Sequence, residues 1–105
     1  MLTKKLIKKI EKEIPNIGIE DEGDYWSISV DNPCCEDFTF EINKTKDDED
    51  IKEIINYCED FDAEEHTVMW WGQNRGEPSS LRELLDNSDA IKEELDKLAT
   101  FLRYI

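Results

Sequence analysis

The chain opens with apolar residues at Leu2, Leu6, Ile7, Ile10 and Ile14, which recur at spacings of three and four with Leu6 and Ile7 adjacent, and with Lys4, Lys5, Lys8, Lys9 and Lys12 between them. That period puts the apolar stripe of an α-helix against a core and the lysines in water. Pro15 ends the helix, because it lacks an N–H and crowds the preceding turn. Beyond it the period becomes two: Trp26, Ile28 and Val30 alternate with Tyr25, Ser27 and Ser29, and Phe38, Phe40 and Ile42 alternate with Asp37, Thr39, Glu41 and Asn43. The spacing predicts three strands over residues 17–22, 24–30 and 37–43, divided by Gly23 and by Asp31-Asn32-Pro33. One buried face and one wet face indicate an antiparallel meander, whose wet face carries Glu20, Glu22, Asp37 and Glu41 and no lysine.

After Lys44-Thr45-Lys46 the helical period returns, with Ile51, Ile54, Ile55 and Cys58 on one stripe and Thr45 and Asp48 at capping-box spacing. Asp62 and Glu65 repeat that spacing and predict a helix through Trp70 and Trp71 that ends near Gly72. Residues 72–78 read as a loop. Ser80 with Glu83 then caps a short helix bearing Leu81, Leu84 and Leu85, Asn87 and Ser88 break it, and a last helix carries Ile91, Leu95, Leu98, Leu102 and Ile105. A helix, three strands and three to four helices define an α+β protein with the helices packed on one sheet face. The 105 residues are read as a single domain over 1–105.

Charge changes the picture. Hydrophobic residues are 38% of the chain and charged residues also 38%, so only the periodic placement of the apolar positions argues for a folded core. Within a net charge of -14, the first helix carries +3 and the rest -17. Residues 47–65 hold ten acids and one lysine. Such a potential speeds association with basic surfaces and repels nucleic acids and anionic membranes. Asp47, Asp48, Glu49, Asp50, Glu59, Asp60, Glu64 and Glu65 are the candidate contacts for a basic partner. Carboxylates two apart on a strand or four apart on a helix lie roughly 6 to 7 Å apart, a repeat comparable with that of phosphates, so acids contiguous with the sheet's wet face would imitate a phosphate track. The plainer reading is a solvated acidic face in a host whose proteins are acidic throughout. Trp70 and Trp71 complete the candidate site: adjacent helical residues point about 100° apart, so both cannot sit at the centre of one buried face; the plainer reading packs both against the core, and the alternative leaves one exposed as an apolar anchor.

Several chemistries lack support. No stretch reaches the roughly 18 apolar residues of a membrane span, and the lysine-rich start lacks the apolar run of a leader, which predicts a cytoplasmic protein with no membrane partner. Cys34, Cys35 and Cys58 are odd in number and two are adjacent, which fits reduced thiols. His66 stands alone, so the paired ligands of a helical zinc site are missing, and Cys34-Cys35 lacks a metal-binding spacer. Ser27, Ser29, Ser79, Ser80 and Ser88 lie in no nucleophile elbow, and Gly18, Gly23, Gly72 and Gly76 make neither a P-loop nor a dinucleotide fingerprint. The run 47–50 lacks the alternation and glycine of a calcium loop. No catalytic residue, metal or cofactor is assigned.

The segments Phe61-Asp62-Ala63-Glu64-Glu65-His66, Met69-Trp70 and Pro78-Ser79-Ser80-Leu81-Arg82-Glu83-Leu84-Leu85 resemble a pattern in small uncharacterised proteins of phages and mobile elements, over less than half the chain. The resemblance implies a mobile-element origin and no established activity. In size, acidity and lack of a catalytic motif the chain also resembles anti-CRISPR and antirestriction proteins as a class. The expectation is a non-catalytic inhibitor or regulator that occupies the surface of a basic nucleic-acid-binding protein, such as a host defence nuclease, without binding nucleic acid itself. The alternative is a structural interaction module or homodimer whose first helix, tryptophans or last helix form the interface. An enzyme using His66 or a cysteine ranks third.

Overall fold

The computed structural model describes residues 2–31, 37–44, 49–73 and 81–105, with the side chains of all of these except 70–73, 81 and 83. Helix α1 (Lys4–Glu13) starts where Thr3 Oγ1 accepts the Leu6 N–H at 3.1 Å and stops at Ile14, the residue before Pro15. Strands β1 (Ile17–Asp21), β2 (Tyr25–Val30) and β3 (Phe38–Asn43) form an antiparallel sheet in the order β1-β2-β3. Between β1 and β2 the chain turns at Gly23, whose φ of 94° disfavours any residue with a Cβ and whose N–H donates to Asp21 Oδ1 at 2.9 Å. The register sets Ile19 opposite Ile28 and Ile28 opposite Phe40 on the buried face. A one-residue slip would turn that whole row into water, so the pairing is strongly specified. On the other face Glu20, Ser27 and Glu41 form one cross-strand row.

Helices α2 (Asp50–Asp60), α3 (Ala63–Gln73) and α4 (Leu81–Arg103) complete the chain. The α+β order expected from the sequence is the order observed. Helix α1 packs on edge strand β1, α4 on central β2 and α2 on the other edge strand β3, while α3 packs on the outer side of the layer through α4. Ile10, Ile28, Ile54, Leu95 and Leu98 meet at the centre with no exposed surface. Each such side chain stabilises the fold by roughly 1.5 to 3 kcal/mol relative to leaving it in water.

The last two expected helices are one. Helix α4 runs unbroken for 23 residues through Asn87 and Ser88. Neither acts as a breaker, because both are buried, with 1% and 0% exposure, and Ser88 faces α3. Thr67 Oγ1 of α3 lies 2.7 Å from Ser88 Oγ and 2.8 Å from the Ala63 carbonyl oxygen, so the two hydroxyls are hydrogen-bonded to each other across the interface. Polar side chains that pair across a helix interface do not compete with their own backbone. Helix α3 starts as expected at Asp62, whose Oδ1 accepts the N–H groups of Glu64 at 2.9 Å and Glu65 at 3.2 Å. The expected caps from Thr45 with Asp48 and from Ser80 lie outside the described residues. So do Cys34, Cys35 and residues 74–78 of the expected loop, whose first two residues, 72 and 73, continue α3.

Candidate functional site: the acidic corner between α2 and α3

Asp47 and Asp48 lie outside the described residues, and Glu49 is exposed at the start of α2 with no side-chain cap bond. Asp50 departs from the expected role. It is 3% exposed, and its Oδ2 accepts the Trp26 indole N–H at 2.8 Å. A buried indole N–H needs an acceptor, and the first residue of α2 supplies it, so Asp50 fastens the helix to the sheet instead of meeting a partner. Over the ring of this indole, Lys44 Nζ lies 4.4 Å from the centroid and 2.5 Å from Asp21 Oδ1. The Lys44 ammonium and the Gly23 N–H hold the Asp21 carboxyl below its usual pKa.

The remaining acids gather where α2 ends and α3 begins: Glu59, Asp60, Glu64 and Glu65 are all exposed. Glu64 and Glu65, in the first turn of α3, sit at the favourable end of its dipole, whereas Glu59 and Asp60 sit at the unfavourable end of α2. Helix α4 offsets the second placement. Lys92 Nζ donates to the Cys58 carbonyl at 2.9 Å, and Arg103 pairs with the Glu59 carboxylate. Glu59 is thereby partly neutralised. Asp60, Glu64 and Glu65 make no ion pair with a described residue.

Aromatic rings bolt this corner to the sheet. The Phe38 ring of β3 lies 5.4 Å from Phe61 and 5.4 Å from His66, both edge-on, and Phe40 stacks on Tyr57 at 3.9 Å. His66 thus packs into this aromatic cluster, and burial lowers its pKa. Cys58 is completely buried in the core, and burial pushes its thiol up to about 12, which leaves no thiolate for chemistry at neutral pH. Among the described residues no group of three His, Cys, Asp or Glu is placed to hold a metal ion. None of the described helices is long and apolar enough to cross a membrane.

What sequence reasoning missed is the outward face of α3. Val68 is 70% exposed and Met69 56%, while Thr67, just before them, is buried. Val68 follows Glu64 by one turn and Met69 follows Glu65 by one turn, so acids and apolar side chains interleave on one surface. The backbone of Trp70 and Trp71 continues α3, and their side chains lie outside the described ones. Hydropathy assigns valine to the core and threonine to water. Only the hydroxyl pairing with Ser88 reverses that assignment here.

The acids of the sheet do not extend this surface on the same side. Glu20 and Glu41 project from the face opposite the helices, so they and the α2–α3 corner lie on opposite sides of the sheet. Asp31 and Asp37 are hydrogen-bonded to each other across the β2–β3 connection, which raises the Asp31 pKa. An open groove of about 520 Å³ between the end of α1 and α4 has Ile14 and Phe101 in its lining with Glu13, Glu93 and Asp96. Comparison of the chain with protein-family models, with curated proteins and with solved structures finds no match.

Proposed function

We propose that this chain is a non-catalytic binding protein whose α2–α3 corner docks on a basic, nucleic-acid-binding protein and inhibits or regulates it. The observation that carries the reading is the pairing of unneutralised acids Asp60, Glu64 and Glu65 with the outward apolar pair Val68 and Met69. Charge of this kind accelerates encounter with a basic surface, and a large apolar side chain beside it supplies the slow dissociation that charge alone does not. A phage-encoded inhibitor of a host defence nuclease is the specific form of this proposal, supported by net charge, size and the C-terminal resemblance.

The test is capture from host lysate at low and high salt, with the native chain and an Asp60→Lys/Glu64→Lys variant, followed by competition with duplex DNA. The expected partner is basic, is displaced by DNA and by salt, and is lost by the variant. Capture that ignores both salt and charge reversal overturns the proposal. A second reading rests on the same apolar pair, with Leu85 at 37% exposure on α4. In it the protein is a homodimer held by apolar contact. A dimer that persists at high salt and dissociates on Met69→Lys would establish that alternative.

A further inference from the structure

The charge polarity of the sequence is also a polarity in space. Helix α1 lies over one edge of the sheet, on β1, and the acidic corner is bolted through Phe38 and Phe40 to the other edge, β3. Lys4, Lys5, Lys8, Lys9 and Lys12 are all exposed. At about 100° per residue they fill an arc of roughly 140° that contains no acid, along roughly 12 Å of helix. Lys44, Lys92, Lys97 and Arg103 are each paired with a carboxylate, whereas the five α1 lysines, like Lys52 and Arg82, make no ion pair with a described residue, although Lys4 is near enough to Asp21 to help lower its pKa. Glu11 lies outside the arc, its Oε2 3.5 Å from the Ile19 N–H of β1.

We infer that the lysine face of α1 docks on the acidic α2–α3 corner of a second copy of this chain. An extended polyanion suits the face poorly, because a strand longer than its roughly 12 Å would run onto the surrounding acids of a chain with net charge -14. A membrane suits it no better, since the apolar side of α1 is already spent in the core through Ile10 and Ile14. An exposed acidic corner of opposite sign is present on every copy. The contact joins two different surfaces, so each added copy leaves one lysine face and one acidic corner open, and assembly is head-to-tail. At about 0.15 M ionic strength the screening length is about 8 Å, so charges at the contact attract while the distant charges of the two copies scarcely meet. At very low salt the net repulsion returns, and at about 1 M salt the attraction is screened as well. Association therefore peaks at intermediate salt. The inference shares the acidic corner with the function proposed above but needs no foreign partner.

Sedimentation velocity of the full chain over a range of concentrations and salt tests it. Average mass should rise with concentration near 0.15 M salt and fall on either side. Lys8→Glu/Lys9→Glu and Asp60→Lys/Glu64→Lys should each weaken self-association at least tenfold, and mixing the two variants should restore it, since each then meets a surface of opposite sign. Recovery on mixing also shows that both variants fold. A native chain that stays monomeric throughout overturns the inference, as does association that survives both reversals or fails to return on mixing. A monomer that binds a short single-stranded DNA through the lysines assigns the face to a polyanion and overturns it too. Neither result depends on whether lysate capture succeeds.

Discussion

Replacing Asp50 by alanine removes the acceptor of the Trp26 indole N–H, a bond of 2.8 Å between residues 3% and 6% exposed. The indole N–H would then be buried without a partner, which costs about 1 to 3 kcal/mol. Loss of a first-turn acid at the N-terminus of α2 adds about 0.3 to 1 kcal/mol. The expected destabilisation is about 2 to 3 kcal/mol, a fall in melting temperature of roughly 10 °C for a domain of this size. Asp50→Asn keeps an acceptor oxygen and should lose less than half as much. The decisive assay is a double-mutant cycle with Trp26→Phe, followed by far-ultraviolet circular dichroism in urea. Because the cycle cancels the packing lost with the indole, a real bond leaves a coupling energy of about 1 kcal/mol or more. Additivity within about 0.5 kcal/mol would refute the claim that this pair fastens α2 to the sheet.

Three further outcomes follow from the buried polar and titratable groups. The His66 pKa is lowered in the fold by burial, so the unfolded chain takes up a proton first as pH falls below about 6.5. Its contribution to stability is complete above that pH and is lost as pH falls toward the folded pKa. Urea unfolding at pH 7.5 and 5.5 should show a smaller loss in His66→Phe than in the native chain, and equal losses would contradict the assignment. Thr67→Val and Ser88→Ala should each cost about 1 to 3 kcal/mol and the double variant less than their sum, again read by urea unfolding, because removing both hydroxyls leaves neither stranded. Cys58 should resist alkylation in the native protein at pH 8 and react on unfolding, as followed by peptide mass mapping; rapid native labelling would show that the core opens locally.

The meander and the first helix are legible in the sequence because each has a single period and clear punctuation. Val30 and Ile42 fall inward where alternation puts them, and Pro15 and Gly23 stop the chain where their backbones require it. The join within α4 is not legible. Asn87 and Ser88 are weak helix formers when judged singly, and the partner that keeps Ser88 within the helix, Thr67, lies on another helix. Asp50 is misread for a similar reason: its place in an acidic run suggests water, while the Trp26 N–H that draws it inward comes from a strand 24 residues away.

Folding also changes what the net charge means. In the sequence, the lysines of the first helix are candidates for neutralising the acidic body within one molecule. Folding separates them, with α1 over β1 and the acidic corner anchored on β3, while the body settles part of its own charge through Lys44, Lys92, Lys97 and Arg103. Five exposed lysines at one edge and Asp60, Glu64 and Glu65 at the other are therefore left without a close ion pair among the described residues. Exposed ion pairs are worth at most about 1 kcal/mol each, so the fold gains little by bringing these charges together and loses little by keeping them apart. On the proposed function their value is intermolecular. Several such charges acting at once on a surface of opposite sign would set which surfaces meet and how fast, and the apolar pair Val68 and Met69 would set how long they stay. Charge reversal at the corner should accordingly slow association with a basic partner, whereas Met69→Ala should mainly speed its release.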